Sequence, residues 1–245
     1  MQQEIGLGLL QRFDPLAVSP LARDRATYCL FKRALDLTLA ILALIILLPG
    51  MALIAVLIFM DSPGPIIYTQ KRVGARRWTR EGYSYWKQNT FDFYKFRTMV
   101  CSADPSLHQA FVTAFINGHV EPQNLNGAPY KLTKDPRVTR IGRILRKTSL
   151  DELPQLVNVL KGDISLVGPR PALPYEVELY QECHKRRFQT YSGITGWWQV
   201  KGRSQVSFDE MCSLDTYYIE HASLGFDLKI LLLTPWAVFS GRGAD

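Results

Sequence analysis

The chain has 245 residues, 29 Lys and Arg against 22 Asp and Glu, and a formal net charge of +7. Hydrophobic residues make up 47% and charged residues 21%, too apolar a balance for a disordered polymer. With 17 Gly, 14 Pro and 4 Cys it is neither collagen-like nor a disulfide framework, and its length suits one domain, or one domain with a short anchor.

Residues 1–30 form an extension of unassigned role. Glu4, Asp14 and Asp24 precede any apolar run, so the segment does not resemble a signal peptide. Cys29, Cys101, Cys183 and Cys212 lie far apart without a C-x-x-C pair. Zinc and dithiol chemistry therefore have no support, and reduced thiols are expected.

Residues 37–60 read LTLAILALIILLPGMALIAVLIFM, uncharged and with Thr38 as the polar side chain. The length meets the roughly 20 residues a membrane helix needs, and a soluble core helix rarely lacks a polar face for so long. Pro49 and Gly50 stand at the midpoint. Pro49 deprives the Ile45 carbonyl of its donor and its ring crowds the preceding turn, so a kink is predicted at Leu48-Pro49. Arg12, Arg23, Arg25, Lys32 and Arg33 precede the segment; Lys71, Arg72, Arg76, Arg77, Arg80 and Lys87 follow it. Cations favour the cytoplasmic side, so both ends ask to lie there. A straight span, the alternative, satisfies only one end, whereas a helix over 31–61 that enters, bends at Pro49 and leaves by the same face satisfies both. Its cost is the backbone groups freed at the bend. Asp36 is expected to pair with Lys32 or Arg33.

Residues 62–245 then form a domain on the membrane surface. Residues 62–65 are a turn cluster, 66–69 and 91–99 have strand character, 104–118 suit a helix and 121–130 a loop. Basic residues at 134, 137, 140, 143 and 146, with apolar residues at 138, 141, 144 and 145, suit a basic amphipathic helix from Pro136. It reads as a solvated cationic face or as a surface for phosphate and anionic lipid headgroups. Nucleic acid is not an expected partner beside a membrane anchor.

In residues 149–162, SLDELPQLVNVLKG, Ser149 and Glu152 have capping-box spacing, and Gly162 is a stop signal. A helix is predicted from near Leu150, with Asp151 and Glu152 in its first turn. There the acids either complement the helix dipole or do chemistry. Adjacent carboxylates suit Mg2+ that also holds substrate phosphate, and a carboxylate can itself attack phosphorus. Arg143, Arg146, Lys147 and Arg170 lie close in sequence and would neutralise phosphate charge. Trp197 and Trp198, in GITGWWQVKGRS at 193–204, read as core or membrane-interface rings. Residues 228–239 are apolar but short and broken by Pro235, an interfacial or core helix. The expected fold class is α+β, a broken N-terminal helix with a small mixed helix and β-hairpin domain.

Together YKFRTM (94–99), the long block DPRVTRIGRILRKTSLDELPQLVNVLKGDISLVGPRP (135–171), GITGWWQVKGR (193–203), LDTYYI (214–219) and GRGA (241–244) resemble the bacterial sugar transferases. These are monotopic phosphoglycosyl transferases, and the chain looks like their short form. The resemblance implies transfer of a sugar 1-phosphate from a UDP-sugar to undecaprenyl phosphate at the cytoplasmic face of a bacterial inner membrane. It also implies release of UMP, Mg2+ and a covalent aspartyl intermediate. Asp151 would be the nucleophile, and Glu152 with Asp151 would hold the metal. Lys95, Arg97, Arg146, Arg170 and Arg203 match family positions near phosphate or nucleotide. Family anchors break at Ser-Pro where this chain has Leu48-Pro49, and Tyr191-Ser192 replaces a frequent Arg-Pro. The block looks most like members handling galactose or glucose. A direct ternary-complex transferase and a basic membrane-surface adaptor are the competing readings, and oligomeric state is not legible.

Overall fold

The computed structural model describes residues 25–80, 83–101, 106–118, 135, 137–201 and 206–239. Residues 1–24, the expected loop at 121–130, Arg203 and the GRGA stretch lie outside the described residues. The first element is α1 (Ala26–Asp61), which runs as one continuous 36-residue helix through Pro49. It is the one helix among the described residues long and apolar enough to cross a membrane, and only 11% of its most apolar stretch is buried. A core helix would be covered there; instead Ile46 and Met60 are 73% and 75% exposed.

Both ends of α1 dock on the same body. At its start Arg25 donates to the carbonyls of Ile219 and Glu220 at 3.0 and 2.8 Å. Two turns further in, Lys32 pairs with Asp227 at 2.9 Å, each side chain 2% exposed. Tyr28 and Tyr218 donate their hydroxyls to the same carboxylate at 2.8 and 2.7 Å. At its end Ile54 and Ile58 pack with Phe96 and Leu145, and the Asp61 carboxylate accepts the Ile141 N–H at 3.1 Å. Of the expected Asp36 partners, Lys32 acts on it through its charge while bonding Asp227 directly, and the hydrogen bonds of Asp36 and Arg33 run to distant backbone. Asp36 accepts the Leu166 N–H at 3.1 Å, and Arg33 donates to the carbonyls of Val159 and Leu160 at 2.6 and 2.9 Å. Buried charges take whichever partners the tertiary fold brings to them, and helical neighbours four residues away have no priority.

After α1 come β1 (Ile67–Arg80) and β2 (Tyr83–Phe96), an antiparallel hairpin in register from Ile67 opposite Phe96 to Arg80 opposite Tyr83. The strand character seen in 66–69 and 91–99 marks only its base. The distal half is rich in Arg, Lys, Gln and Ser, and is held by paired backbone and by Trp86, which packs edge-on against Tyr191 at 4.8 Å. Next are α2 (Ser106–Ile116) and α3 (Arg140–Thr148). α3 starts four residues later than the basic pattern suggests, because Thr139 caps it through a bond from the Gly142 N–H at 3.0 Å.

A 3-10 turn (Leu150–Glu152) leads into α4 (Gln155–Lys161) and β3 (Ser165–Val167). Two short helices follow, α5 (Pro174–Glu178) and α6 (Glu182–Lys185), then β4 (Gly193–Thr195), which pairs in parallel with β3. The chain ends in α7 (Trp197–Lys201), α8 (Phe208–His221) and α9 (Leu224–Phe239). Trp197 and Trp198 are both core residues, each in a different hydrophobic cluster. Within residues 228–239 Ile230 is fully buried in the core, whereas Leu232 and Trp236 are exposed.

Replacing Lys32 with Met would leave the Asp227 charge buried without its cation. The expected cost is about 3–5 kcal/mol, read by chemical denaturation in detergent. A loss below about 1 kcal/mol would contradict a clamping role for the pair.

Candidate active site

The acid pair sits where three chain segments meet. α3 ends at Thr148, and Ser149 reverses the chain in the left-handed region, with φ 57°. Asp151 and Glu152 follow in the 3-10 turn. The predicted capping box does not form. Ser149 both closes α3 and opens the 3-10 turn that starts at Leu150 as expected, but its side chain makes no capping bond, and the α-helix proper, α4, begins only after Pro154. Glu152 is therefore released from the backbone and turns to two cations. Its Oε1 accepts from Lys95 Nζ at 2.8 Å and from Arg170 Nη2 at 3.0 Å. The same Lys95 nitrogen lies 3.6 Å from Asp151 Oδ2. Burial alone would raise the Glu152 pKa, but Arg170 and Lys95 outweigh it and hold the carboxyl well below the ordinary glutamate range.

Each partner is positioned by backbone contacts. Lys95 lies near the end of β2, and Asn158 of α4 fixes that strand's height. The Asn158 side chain accepts the Tyr94 N–H at 3.1 Å and donates to the Asp92 carbonyl at 2.6 Å, as a neighbouring strand would. It also donates to Asp163, which takes Arg76 of β1. Arg170 follows β3, in a loop held to the hairpin by paired bonds between Val73 and Ala172 at 2.8 and 3.0 Å. On the other side, Arg146 donates through Nε to Thr98 Oγ1 at 2.9 Å and is close enough for its charge to act on Asp151. Gly142 permits this: a side chain there would collide with the Thr98 carbonyl.

Of the residues singled out from sequence, Lys95, Arg146, Asp151, Glu152 and Arg170 converge. Arg143 and Lys147 are exposed on α3. Arg97 is buried elsewhere: its guanidinium donates to the Ser62 and Pro63 carbonyls and to Ser62 Oγ, closing the turn after α1. Tyr191 packs on Trp86, and Ser192 lies beneath Gly74 of β1, so these two positions are structural. Asn158 was not singled out; a buried polar residue inside the LVNVL run of α4 was its only signal. Among the described residues no group of three or more His, Cys, Asp or Glu forms a metal cage. Two adjacent carboxylates suit Mg2+, which commonly keeps water and substrate phosphate as its remaining ligands.

A family model for bacterial sugar transferases matches residues 27–241. The chain belongs to that family. It is 40% identical over 243 residues to the galactosyl transferase CpsE of Streptococcus agalactiae, covering 98% of this chain and 49% of that protein. It is 38% identical over 220 residues to the exopolysaccharide production protein ExoY of Sinorhizobium fredii, covering 87% of each. With the undecaprenyl-phosphate galactose phosphotransferase of Salmonella typhimurium it shares 39% identity over 213 residues, 87% of this chain and 41% of the other. The chain thus spans about half the length of CpsE and less of the Salmonella protein.

The Glu152 pairing has a sign in pH. Because its carboxyl is held below the ordinary 4.5, the pairing stabilises the fold above that pH and is lost as pH falls through the lower folded value. Glu152→Gln should therefore lose less stability than the wild type between about pH 5 and pH 2, measured by denaturation at stepped pH. Parallel curves would contradict the pairing.

Proposed function

We propose that the chain is a membrane-bound phosphoglycosyl transferase that moves a hexose 1-phosphate, galactose or glucose, from a UDP-sugar to undecaprenyl phosphate. The observation that carries this is the acid pair held among Lys95, Arg146 and Arg170. An anionic nucleophile attacking an anionic diphosphate needs such cations. The names of the relatives, which speak of galactosyl transfer and of undecaprenyl phosphate, support the substrate class.

The two acids divide the work. Glu152 is stabilised as an anion by two cations and is a poor nucleophile; it orients Lys95 and Arg170. Asp151 attacks the sugar-side phosphorus. The bond from that phosphorus to the oxygen bridging to UMP breaks, and UMP leaves. A phosphate oxygen of undecaprenyl phosphate then attacks the same phosphorus, the Asp151–phosphorus bond breaks, and the carboxylate is restored. Mg2+, held by Asp151 and Glu152 with substrate phosphate, would supply charge neutralisation.

In this reading the site lies at the cytoplasmic face of the inner membrane, and the exposed apolar helix supports its attachment there. Its two ends dock on one body, at Ile219–Glu220 and at Ile141, which supports a helix that bends at Pro49 and returns by the side it entered. Its exposed apolar face meets lipid, where the carrier substrate lies.

Asp151→Asn should lower UMP release by at least about 10³-fold, as loss of a nucleophile does. Glu152→Gln should mainly raise the Mg2+ concentration needed for half-maximal rate. Full activity in the first variant would contradict the nucleophile, and unchanged metal dependence in the second would contradict the ligand role.

A further inference from the structure

Beside the acid pair lies a second cationic corner. Arg72 of β1 donates to the Pro171 carbonyl at 3.1 Å and to Gln70 Oε1 at 2.9 Å, and its Nε is buried without a hydrogen-bond partner. The Val73–Ala172 bonds hold it against the loop that carries Arg170. Two residues past that bridge α5 begins, and its Tyr175 hydroxyl shares a 3.0 Å hydrogen bond with His108 Nδ1 of α2. Burial, and after it the charges of Arg72, Arg137 and Arg146, push the His108 pKa down to about 4, so the imidazole is neutral. Asp135, the carboxylate that offsets them there, is already spanned by Arg137 Nε and Nη2 at 2.8 and 2.7 Å. The carboxylate whose charge acts most on Arg72 and Tyr175 is Glu176, which already accepts the Leu173 N–H at 2.9 Å; the N–H and O–H donors of the corner remain to suit a phosphate monoester.

Its position indicates which phosphate. α1 packs on α3, α4, β3 and α9, whereas the corner is built by β1, α2 and α5. A ligand arriving from water reaches it without crossing the lipid-facing helix. We propose that Arg72, Tyr175 and His108 form an anion subsite that holds the nucleotide-side phosphate of the donor while Asp151 meets the sugar-side phosphorus. This rests on the transferase reading above. Its ligand is a nucleoside monophosphate ester, held both in the donor and as the departing UMP. One hydrogen is used between Tyr175 and His108, so the pair offers the phosphate one neutral donor, and Arg72 supplies the charge.

The test uses the full chain in detergent, with UMP and inorganic phosphate as probes in calorimetric binding, and with separate KM values for UDP-sugar and undecaprenyl phosphate. Arg72→Gln should weaken UMP binding by about tenfold or more, the loss expected for a charge-assisted bond. Tyr175→Phe should weaken it about fivefold. KM for the lipid acceptor should stay within about twofold in both, consistent with additivity of distant sites. Tyr175→Phe removes one hydroxyl from a half-buried ring and keeps the test decisive if Arg72→Gln fails to fold. His108→Gln, which can still bond Tyr175, should retain more UMP affinity than His108→Leu. UMP affinities equal to wild type, or a raised KM confined to the lipid acceptor, would overturn the subsite while wild-type turnover leaves the transferase intact. A wild-type protein that neither binds nor releases UMP would overturn both.

Discussion

One oxygen of Glu152 accepts both Lys95 and Arg170, and that carboxylate ties together three segments far apart in sequence. Lys95 comes from the hairpin, Arg170 from the loop after β3, and Glu152 from the turn between α3 and α4. Opposite charges about 3 Å apart attract by roughly 5 kcal/mol at an effective dielectric of 20, against a desolvation cost of similar kind. The arrangement therefore favours specificity of geometry more than net stability. It sets two cations beside Asp151 with their positions fixed before any substrate arrives, so little reorganisation remains for the reaction.

The apolar helix is bound into the same frame. Arg33 supplies donors to the last carbonyls of α4, the helix that follows the acid pair, where a cation also complements the helix dipole. Asp36 accepts the N–H of Leu166 in β3, the strand that leads to Arg170. At the far end Arg97 closes the turn after α1 two residues beyond Lys95. Motion of this helix would shift both cations that hold Glu152, so the apolar helix and the acid pair are coupled through one body.

Much of this was legible in the residues. The uncharged run at 37–60 and the acid pair among arginines stand out because composition and charge survive without knowledge of the fold. What was hidden depended on tertiary partners. Ser149 and Glu152 have capping-box spacing, yet a left-handed Ser149 and Pro154 move the helix start to Gln155, and Glu152 finds cations instead of a backbone N–H. The distal hairpin lacks the apolar alternation that marks strands, because much of its surface is solvated. Arg97 matches a family motif but serves a turn, and Asn158 substitutes for a β partner that local sequence cannot reveal. Arg72 was visible only as one flanking cation among many, and the bridge at Val73 gives it a place.

The covalent role proposed for Asp151 is tested most directly by mass spectrometry of the purified protein after incubation with UDP-galactose or UDP-glucose and Mg2+, without lipid acceptor. The predicted result is a hexose-phosphate increment on the peptide containing Asp151 that disappears when undecaprenyl phosphate is added. Turnover with acceptor but no adduct without it, or an adduct on a different residue, would contradict the mechanism.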